Sequence, residues 1–107
     1  MAEVSIDQFT AARADGAFVV DVREPAEYVE GHVPGALLVP LGEIPARAGE
    51  LPTDEPVYVI CASGNRSLRA ADYLERAGVD ARSVQGGTKG WVSAGNPVVT
   101  GSHADLS

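Results

Sequence analysis

Short apolar runs alternate along the chain with segments whose apolar positions recur at helical spacing. Strands that are covered on both faces of a sheet are almost continuously apolar. Four runs fit that description and predict buried strands: residues 17–22, 36–39, 56–61 and 81–84.

Two helix signals occur in the first third of the chain. Ser5 and Gln8 have the spacing of a capping box, which predicts a helix that Gly16 ends. Pro25 favours a first helical turn, and a glycine follows Glu30, so residues 25–30 predict a second, short helix.

Three further helical segments lie between and after the later strands. The apolar positions of residues 41–51 recur at helical spacing, but Pro45 prevents a regular helix in the residues that precede it. Residues 67–77 predict an amphipathic helix, and residues 89–94 predict a last short one. The positions expected to face the core in the helix over 67–77 are Ala70, Ala71, Leu74 and Ala77.

Regular alternation of strands and helices predicts an α/β fold. Parallel strands need crossover connections, and right-handed crossovers place helices on both faces of the sheet. We therefore expect a mostly parallel central sheet with helices on both faces, formed by one domain over residues 1–98. Residues 99–107 are expected to be a frayed tail. Ligands should bind beyond the carboxyl ends of the strands, where Asp21, Arg23 and the segment from Cys61 to Arg66 lie.

Composition narrows the function classes. The 107 residues carry 15 acidic and 8 basic side chains, and the formal charge of −7 argues against nucleic acid and against an anionic membrane surface as partners. The single cysteine, Cys61, excludes an intramolecular disulfide and a multi-cysteine metal site. With no apolar run of membrane-spanning length and no secretory signal at the start, the expected location is the cytoplasm.

Cys61 ends the most apolar strand, and a short loop and a helix follow it. Backbone N–H groups in such a turn, together with the start of the helix, stabilise an anion at the end of the strand. Gly64 lets the loop curl tightly, and Arg66 adds a positive charge or braces the loop. Most lone cysteines are buried hydrophobic residues. In this setting we favour a thiol whose pKa lies below its free value.

Five motifs in a fixed order make the chain similar to the single-domain rhodaneses, which are thiosulfate-type sulfurtransferases. The resemblance extends from Val4 to about Val98. The motifs are Val19-Val20-Asp21-Val22-Arg23, Tyr28, Gly31-His32-Val33-Pro34-Gly35-Ala36, Cys61-Ala62-Ser63-Gly64-Asn65-Arg66-Ser67 and Gly86-Gly87-Thr88-Lys89-Gly90-Trp91.

The resemblance implies a ping-pong reaction in which the cysteine takes a sulfane sulfur from a donor and passes it on. The donor is a small molecule such as thiosulfate, and the acceptor is cyanide or a thiol, which a protein can carry. Cys61 and Arg66 would be the catalytic residues, and no metal or organic cofactor is implied. The resemblance assigns substrate binding to the rest of the loop, namely Ala62, Ser63, Gly64, Asn65 and Ser67.

Two alternatives stay open. The first is a rhodanese-like regulatory or sulfur-carrier module that acts on a protein partner. The second is a phosphatase or arsenate reductase of the related type, whose loop is one residue longer than the six residues from Cys61 to Arg66. Ala62 replaces a basic residue that many rhodaneses carry, which leaves Arg66 as the loop's cation and predicts weak thiosulfate binding.

Other residues near the expected site have structural interpretations. Asp21 and Arg23 either support the site, by shaping its wall and orienting Arg66, or are structural, with Asp21 bonding loop amides and Arg23 pairing with Glu24 or Glu27. His32 is expected to lock a turn, and Trp91 to pack at the pocket edge. The glycine-rich segment 86–90 lacks the residue order of a nucleotide loop. Its resemblance to the rhodaneses predicts a close backbone approach to the cysteine loop.

Overall fold

The predicted alternation forms a five-stranded parallel sheet in the computed structural model, which describes residues 2–103. The strand order is β1-β5-β4-β2-β3, and every neighbouring pair is parallel. The strands are β1 (Ala2–Val4), β2 (Phe18–Asp21), β3 (Leu37–Leu38), β4 (Val57–Ile60) and β5 (Ala81–Val84).

Five α-helices connect or follow the strands within the described residues, 2–103. They are α1 (Ile6–Ala14), α2 (Pro25–Glu30), α3 (Ile44–Arg47), α4 (Asn65–Arg76) and α5 (Gly87–Ser93). Short 3-10 turns, Leu41–Glu43 and Ala48–Glu50, flank α3. The 3-10 turn at Leu41–Glu43 and the start of α3 at Ile44 agree with the expectation that no regular helix precedes Pro45.

Helix α1 begins as its capping box predicts. The Gln8 N–H donates to Ser5 Oγ at 3.1 Å, and the Ser5 N–H donates to Gln8 Oε1 at 2.8 Å. The strand that precedes α1 was not predicted. β1 has three residues, two of them exposed, and it pairs only with β5, so it lacks the apolar run that indicates a buried strand.

The later helices begin earlier in the chain than predicted. Helix α4 starts at Asn65 rather than 67, because Gly64 in a left-handed conformation turns the chain directly into the helix. Helix α5 starts at Gly87 rather than 89. The expectation that Ala77 faces the core is wrong, because α4 ends at Arg76 and Ala77 is exposed at its end.

The core consists of two apolar clusters, one on each face of the sheet. Alternate β4 residues divide between them: Val57 and Val59 belong to the cluster beneath α4, and Tyr58 and Ile60 belong to the cluster with Phe9 of α1. Because β4 lies in the middle of the sheet and is buried along its length, the residue that follows it is held firmly.

The segment expected to fray from residue 99 falls partly on described residues. Val99 and His32 exchange backbone hydrogen bonds of 2.9 Å in each direction, and the Gly101 N–H donates to the Val29 carbonyl at 2.9 Å. Residues 104–107 lie outside the described residues, so the rest of that expectation stays a prediction.

Candidate active site

The loop after β4 folds back on its own first residue. Gly64 has a φ of +114°, a conformation that glycine adopts without the strain a side chain would bring. This turn points the Gly64 N–H at Cys61 Sγ, 3.1 Å away. The loop therefore presents a backbone donor to the sulfur before the chain enters α4.

A buried hydroxyl pair lies on the other side of the sulfur. Ser67 Oγ is 3.5 Å from Cys61 Sγ, 3.1 Å from the Gly64 carbonyl oxygen and 2.8 Å from Ser83 Oγ. Both serines are fully buried, and Cys61 itself is 1% exposed. A hydroxyl carries one proton, so Ser67 donates either to the Gly64 carbonyl or to an ionised sulfur, and Ser83 is placed to donate to Ser67.

These contacts favour the thiolate form of Cys61. Burial makes the largest single contribution and raises the pKa of the thiol. Hydrogen bonds from the Ser67 hydroxyl and from the backbone N–H groups of Ser67, Gly64 and Ser63 outweigh it, so the net pKa of Cys61 is lowered. Of the residues predicted to contact the reacting sulfur, the structure brings these three to it.

Arg66 is tied to a partner that the sequence analysis missed. Its two guanidinium nitrogens donate to the two carboxylate oxygens of Glu27 at 2.7 and 2.9 Å, a forked ion pair between α4 and α2. The hydrogen bond to Arg66 lowers the pKa of Glu27 to about 2, and the same bond raises the pKa of Arg66. The expectation that Asp21 orients Arg66 is wrong, because the observed partner of Arg66 is Glu27.

Asp21 and Arg23 form their own buried ion pair, so Asp21 does not orient Arg66 and Arg23 does not pair with Glu24 or Glu27. Arg23 Nη2 lies 2.8 Å from Asp21 Oδ2 and also donates to the Gly31 carbonyl at 2.8 Å. The Arg23 N–H and Nε both donate to Asp21 Oδ1 at 3.0 Å. Asp21 therefore pairs with Arg23 and not with the loop or with Arg66. Arg23 in turn bonds the carbonyl of Gly31, the residue that caps the end of α2.

The glycine-rich segment lies against the cysteine loop, as predicted. A Cβ built on Gly87 would lie 2.5 Å from the Cys61 carbonyl oxygen and 2.7 Å from the Ala62 carbonyl carbon, so no side chain fits there. The Thr88 N–H donates to the Cys61 carbonyl at 2.8 Å, and the Lys89 N–H donates to the Ala62 carbonyl at 3.0 Å. The first turn of α5 is thus bonded to the loop.

An open cavity of about 640 Å³ adjoins the loop at Ala62. Polar and charged side chains share its lining with apolar ones, which are exposed at Val92 and Val98. The other lining residues are Arg23, Glu27, Glu30, Gly31, Thr88, Lys89 and Ser93. The side chains of Ser63 and Asn65 are exposed on the loop and do not line this cavity.

His32 and Trp91 have structural contacts. The His32 ring is fully buried, stacks on Tyr28 with ring centroids 3.6 Å apart, and hydrogen-bonds the Tyr28 and His103 carbonyls at 2.8 Å each. Trp91 packs edge-on against Phe9, and its indole N–H donates to the Pro97 carbonyl at 2.7 Å. Neither side chain contacts Cys61 in these interactions.

Sequence reasoning missed three contributors to the site. Glu27 was considered as a partner of Arg23, Ser83 was not singled out, and Thr88 was considered only as part of the glycine-rich segment. No local pattern marks Glu27, because its partner lies 39 positions further along the chain. Ser83 carries a weak signal, since a serine inside a buried strand needs a hydrogen-bond partner.

Residues 2–103 contain neither a metal-binding cluster nor a membrane-spanning helix. No group of three or more histidine, cysteine, aspartate or glutamate side chains there is arranged to hold a metal ion. Within the same residues, no helix is long and apolar enough to cross a membrane.

Comparison with known proteins agrees with the motifs. Residues 5–94 match the rhodanese-like domain family. The chain is 38% identical over 89 residues to a sulfurtransferase from Allochromatium vinosum, covering 82% of this chain and 83% of that protein. It is 37% identical over 91 residues to thiosulfate sulfurtransferase GlpE from Pseudomonas entomophila, covering 84% of each. The crystal structure of a rhodanese-related protein from Thermoplasma volcanium matches with a TM-score of 0.88 and 31% identity, over 94% of this chain and 100% of that one.

Proposed function

This chain belongs to the rhodanese-like family, and on that premise we propose that it moves a sulfane sulfur from a donor such as thiosulfate to a thiol or cyanide. Cys61 carries the sulfur between the two half-reactions as a persulfide. The observation that carries the proposal is the environment of Cys61 Sγ, which lies 3.1 Å from the Gly64 N–H and 3.5 Å from the Ser67 hydroxyl. These groups stabilise a negative charge on the sulfur, and the pKa of Cys61 is lowered.

In the first half-reaction the Cys61 thiolate attacks the sulfane sulfur of thiosulfate. A new S–S bond forms to Cys61, the S–S bond of thiosulfate breaks, and sulfite leaves with its electron pair. In the second, cyanide or a thiolate attacks the outer sulfur of the persulfide. The bond to Cys61 breaks, the thiolate is regenerated, and thiocyanate or a new persulfide leaves. No oxidant is consumed.

The loop supports both anions. We propose that the N–H groups from Ala62 to Ser67, including those of Ser63 and Asn65, surround the added sulfur. Arg66 acts as a brace that fixes the start of α4 through Glu27, and its charge adds to the field at the sulfur. Asp21 and Arg23 support the site indirectly: Arg23 lines the cavity next to the loop, and Asp21 holds Arg23 in place.

The acceptor is proposed to be a thiol, which a protein can carry, because the cavity beside the loop is open and partly apolar at Val92 and Val98. We also propose the cytoplasm as its location, since a resting thiol at Cys61 persists in a reducing compartment.

Intact mass spectrometry tests the covalent half-reaction. Incubation with thiosulfate should add about 32 Da, one sulfur atom, and cyanide should remove it with release of thiocyanate. The matched control is Cys61→Ser, which should gain nothing. If the wild-type protein gains no mass from thiosulfate or from any low-molecular-weight persulfide, the sulfurtransferase proposal is wrong. Hydrolysis of a phosphate ester by the same preparation would instead point to a phosphatase.

A further inference from the structure

The charged side chains around the cavity are not equally available to a ligand. Four of them line it: Arg23, Glu27, Glu30 and Lys89. Arg23 is held by Asp21 at 2.8 Å, and Glu27 is held by Arg66 at 2.7 Å. Within residues 2–103, Glu30 and Lys89 have no ion pair. Arg66, the loop's own cation, is already paired with Glu27, and Lys89 is the cation in the lining that has no ion-pair partner within residues 2–103.

The residue next to Lys89 has an unmet hydrogen-bonding need. Thr88 is 7% exposed and lines the same cavity, and its Oγ1 has no hydrogen-bond partner within the described residues. A buried hydroxyl without a partner costs about 1–3 kcal/mol, so such groups are usually satisfied by a ligand or an ordered water. The Thr88 hydroxyl is a polar contact that the fold provides and does not use.

Both residues are fixed relative to the sulfur by their backbones. The Thr88 N–H is bonded to the Cys61 carbonyl and the Lys89 N–H to the Ala62 carbonyl, at 2.8 and 3.0 Å. Gly87, which cannot take a side chain, keeps this turn of α5 in contact with the loop. Ala62 lines the same cavity as Thr88 and Lys89.

We propose that Thr88 and Lys89 form the subsite that binds the anionic oxygens a sulfur donor carries beyond its sulfane sulfur. This inference rests on the proposed function and deepens it. The ligand chemistry is an oxyanion group, either the sulfonate end of thiosulfate or the carboxylate of a persulfide-bearing thiol. When the donor's S–S bond breaks, the electron pair goes to the departing group, and the Lys89 ammonium stabilises the charge that develops there. Glu30, unpaired in the same lining, opposes that charge and limits the affinity for a dianion.

The first test needs no sulfur transfer. Alkylation of Cys61 is measured with iodoacetate, an anion, and with iodoacetamide, its neutral analogue, and the ratio of the two rates is compared among variants. Lys89→Met should lower the ratio about threefold to tenfold, the effect of one partly screened charge, and Glu30→Gln should raise it. Arg69→Met is the matched control, since Arg69 is exposed on α4 and lines a different cavity. An unchanged ratio in Lys89→Met overturns the proposal.

The second test separates binding from folding. Thr88→Val keeps the shape of the side chain and removes the unpaired hydroxyl, so its Tm should stay the same or rise. The KM of Thr88→Val for thiosulfate should rise severalfold with a smaller change in kcat. Thr88→Ser, which keeps the hydroxyl, should have a KM close to that of the wild type. A lower Tm together with the loss of activity would mean that the hydroxyl is structural and would overturn its place in the subsite.

The donor class is resolved by comparing three donors on wild type and on Lys89→Met. They are thiosulfate, a persulfide that bears a carboxylate, and an uncharged alkyl persulfide. If Lys89→Met loses sulfur transfer only from thiosulfate, the subsite binds sulfonate. If it loses transfer only from the persulfide that bears a carboxylate, the subsite binds carboxylate. Equal loss with the uncharged donor contradicts the proposal. If no donor adds sulfur to the wild type, the proposed function fails, and the alkylation ratio still decides whether the anion subsite exists.

Discussion

Replacing Gly87 by alanine should damage stability and activity together, because this glycine allows α5 to touch the cysteine loop. Its φ is +57°, and an added Cβ would meet the Cys61 carbonyl oxygen at 2.5 Å and both carbonyl atoms of Ala62 at 2.7 Å. All three are backbone atoms, so no side-chain rotation relieves the clash. The turn must move away from the loop, and the hydrogen bonds from the Thr88 and Lys89 N–H groups must lengthen or break.

The size of the effect follows from these contacts. A left-handed conformation costs a residue with a Cβ roughly 1–2 kcal/mol. Each lost backbone hydrogen bond costs about 0.5–1.5 kcal/mol. We therefore expect Gly87→Ala to lower the free energy of unfolding by about 2–5 kcal/mol, since both hydrogen bonds are at risk.

The matched control is Gly95→Ala. Gly95 has a φ of +88° but nothing within 4 Å of a built Cβ, so it pays the conformational cost without the clash. Gly95→Ala should therefore lower the free energy of unfolding by roughly 1–2 kcal/mol. Urea unfolding followed by fluorescence of the single Trp91 measures both variants. If the two lose the same free energy of unfolding, the close approach at Gly87 does not stabilise the fold and the reasoning is wrong.

Three further predictions address the thiol and the ion pair. Cys61→Ser should abolish sulfur transfer and leave the Tm nearly unchanged; residual turnover above a few per cent in a clean preparation contradicts the role of Cys61. Ser67→Ala should raise the pKa of Cys61 and shift the pH profile of iodoacetamide alkylation upward, and Ser83→Ala should shift it less in the same direction; a profile that stays in place removes the hydroxyls from thiolate stabilisation. Glu27, whose pKa is lowered to about 2 from 4.5, stabilises the folded state above pH 4.5, and this contribution is lost as the pH falls towards 2. Because the Glu27 and Arg66 side chains are 36% and 33% exposed, the pair contributes about 1 kcal/mol or less. Glu27→Gln should therefore flatten acid unfolding curves in that range, and an identical curve would show that the pair adds nothing.

Local sequence signals predicted the parts of the site that local structure builds. Cys61, Gly64 and Ser67 lie on one strand–loop–helix turn, and a strand end followed by a glycine and a helix is readable over seven residues. The close approach of the glycine-rich segment was predicted from the resemblance. The chemistry at the sulfur therefore needed little tertiary information.

Contacts between distant elements could not be predicted. The partner of Arg66 depends on how α2 lies against α4, and the acidic residues of α2 are indistinguishable in sequence from a solvated helix face. The sequence offered several partners for Asp21 and for Arg23. Both side chains are buried, and they pair with each other although they are only two residues apart. The edge strand β1 is too short and too exposed to carry a periodic signal.

That edge strand has a consequence for how the protein opens. Ala2 of β1 pairs with Arg82, so most of the chain lies between the two paired strands and must be ordered before they can pair. As an edge strand, β1 has one neighbouring strand, β5. Such edges undergo local opening before the rest of the molecule, and their amide protons exchange first. Ile6 follows β1 and packs on α5, where a Cβ on Gly90 would lie 3.1 Å from its Cγ1. Release of this edge therefore removes a packing contact of α5, the helix whose first turn is bonded to the cysteine loop.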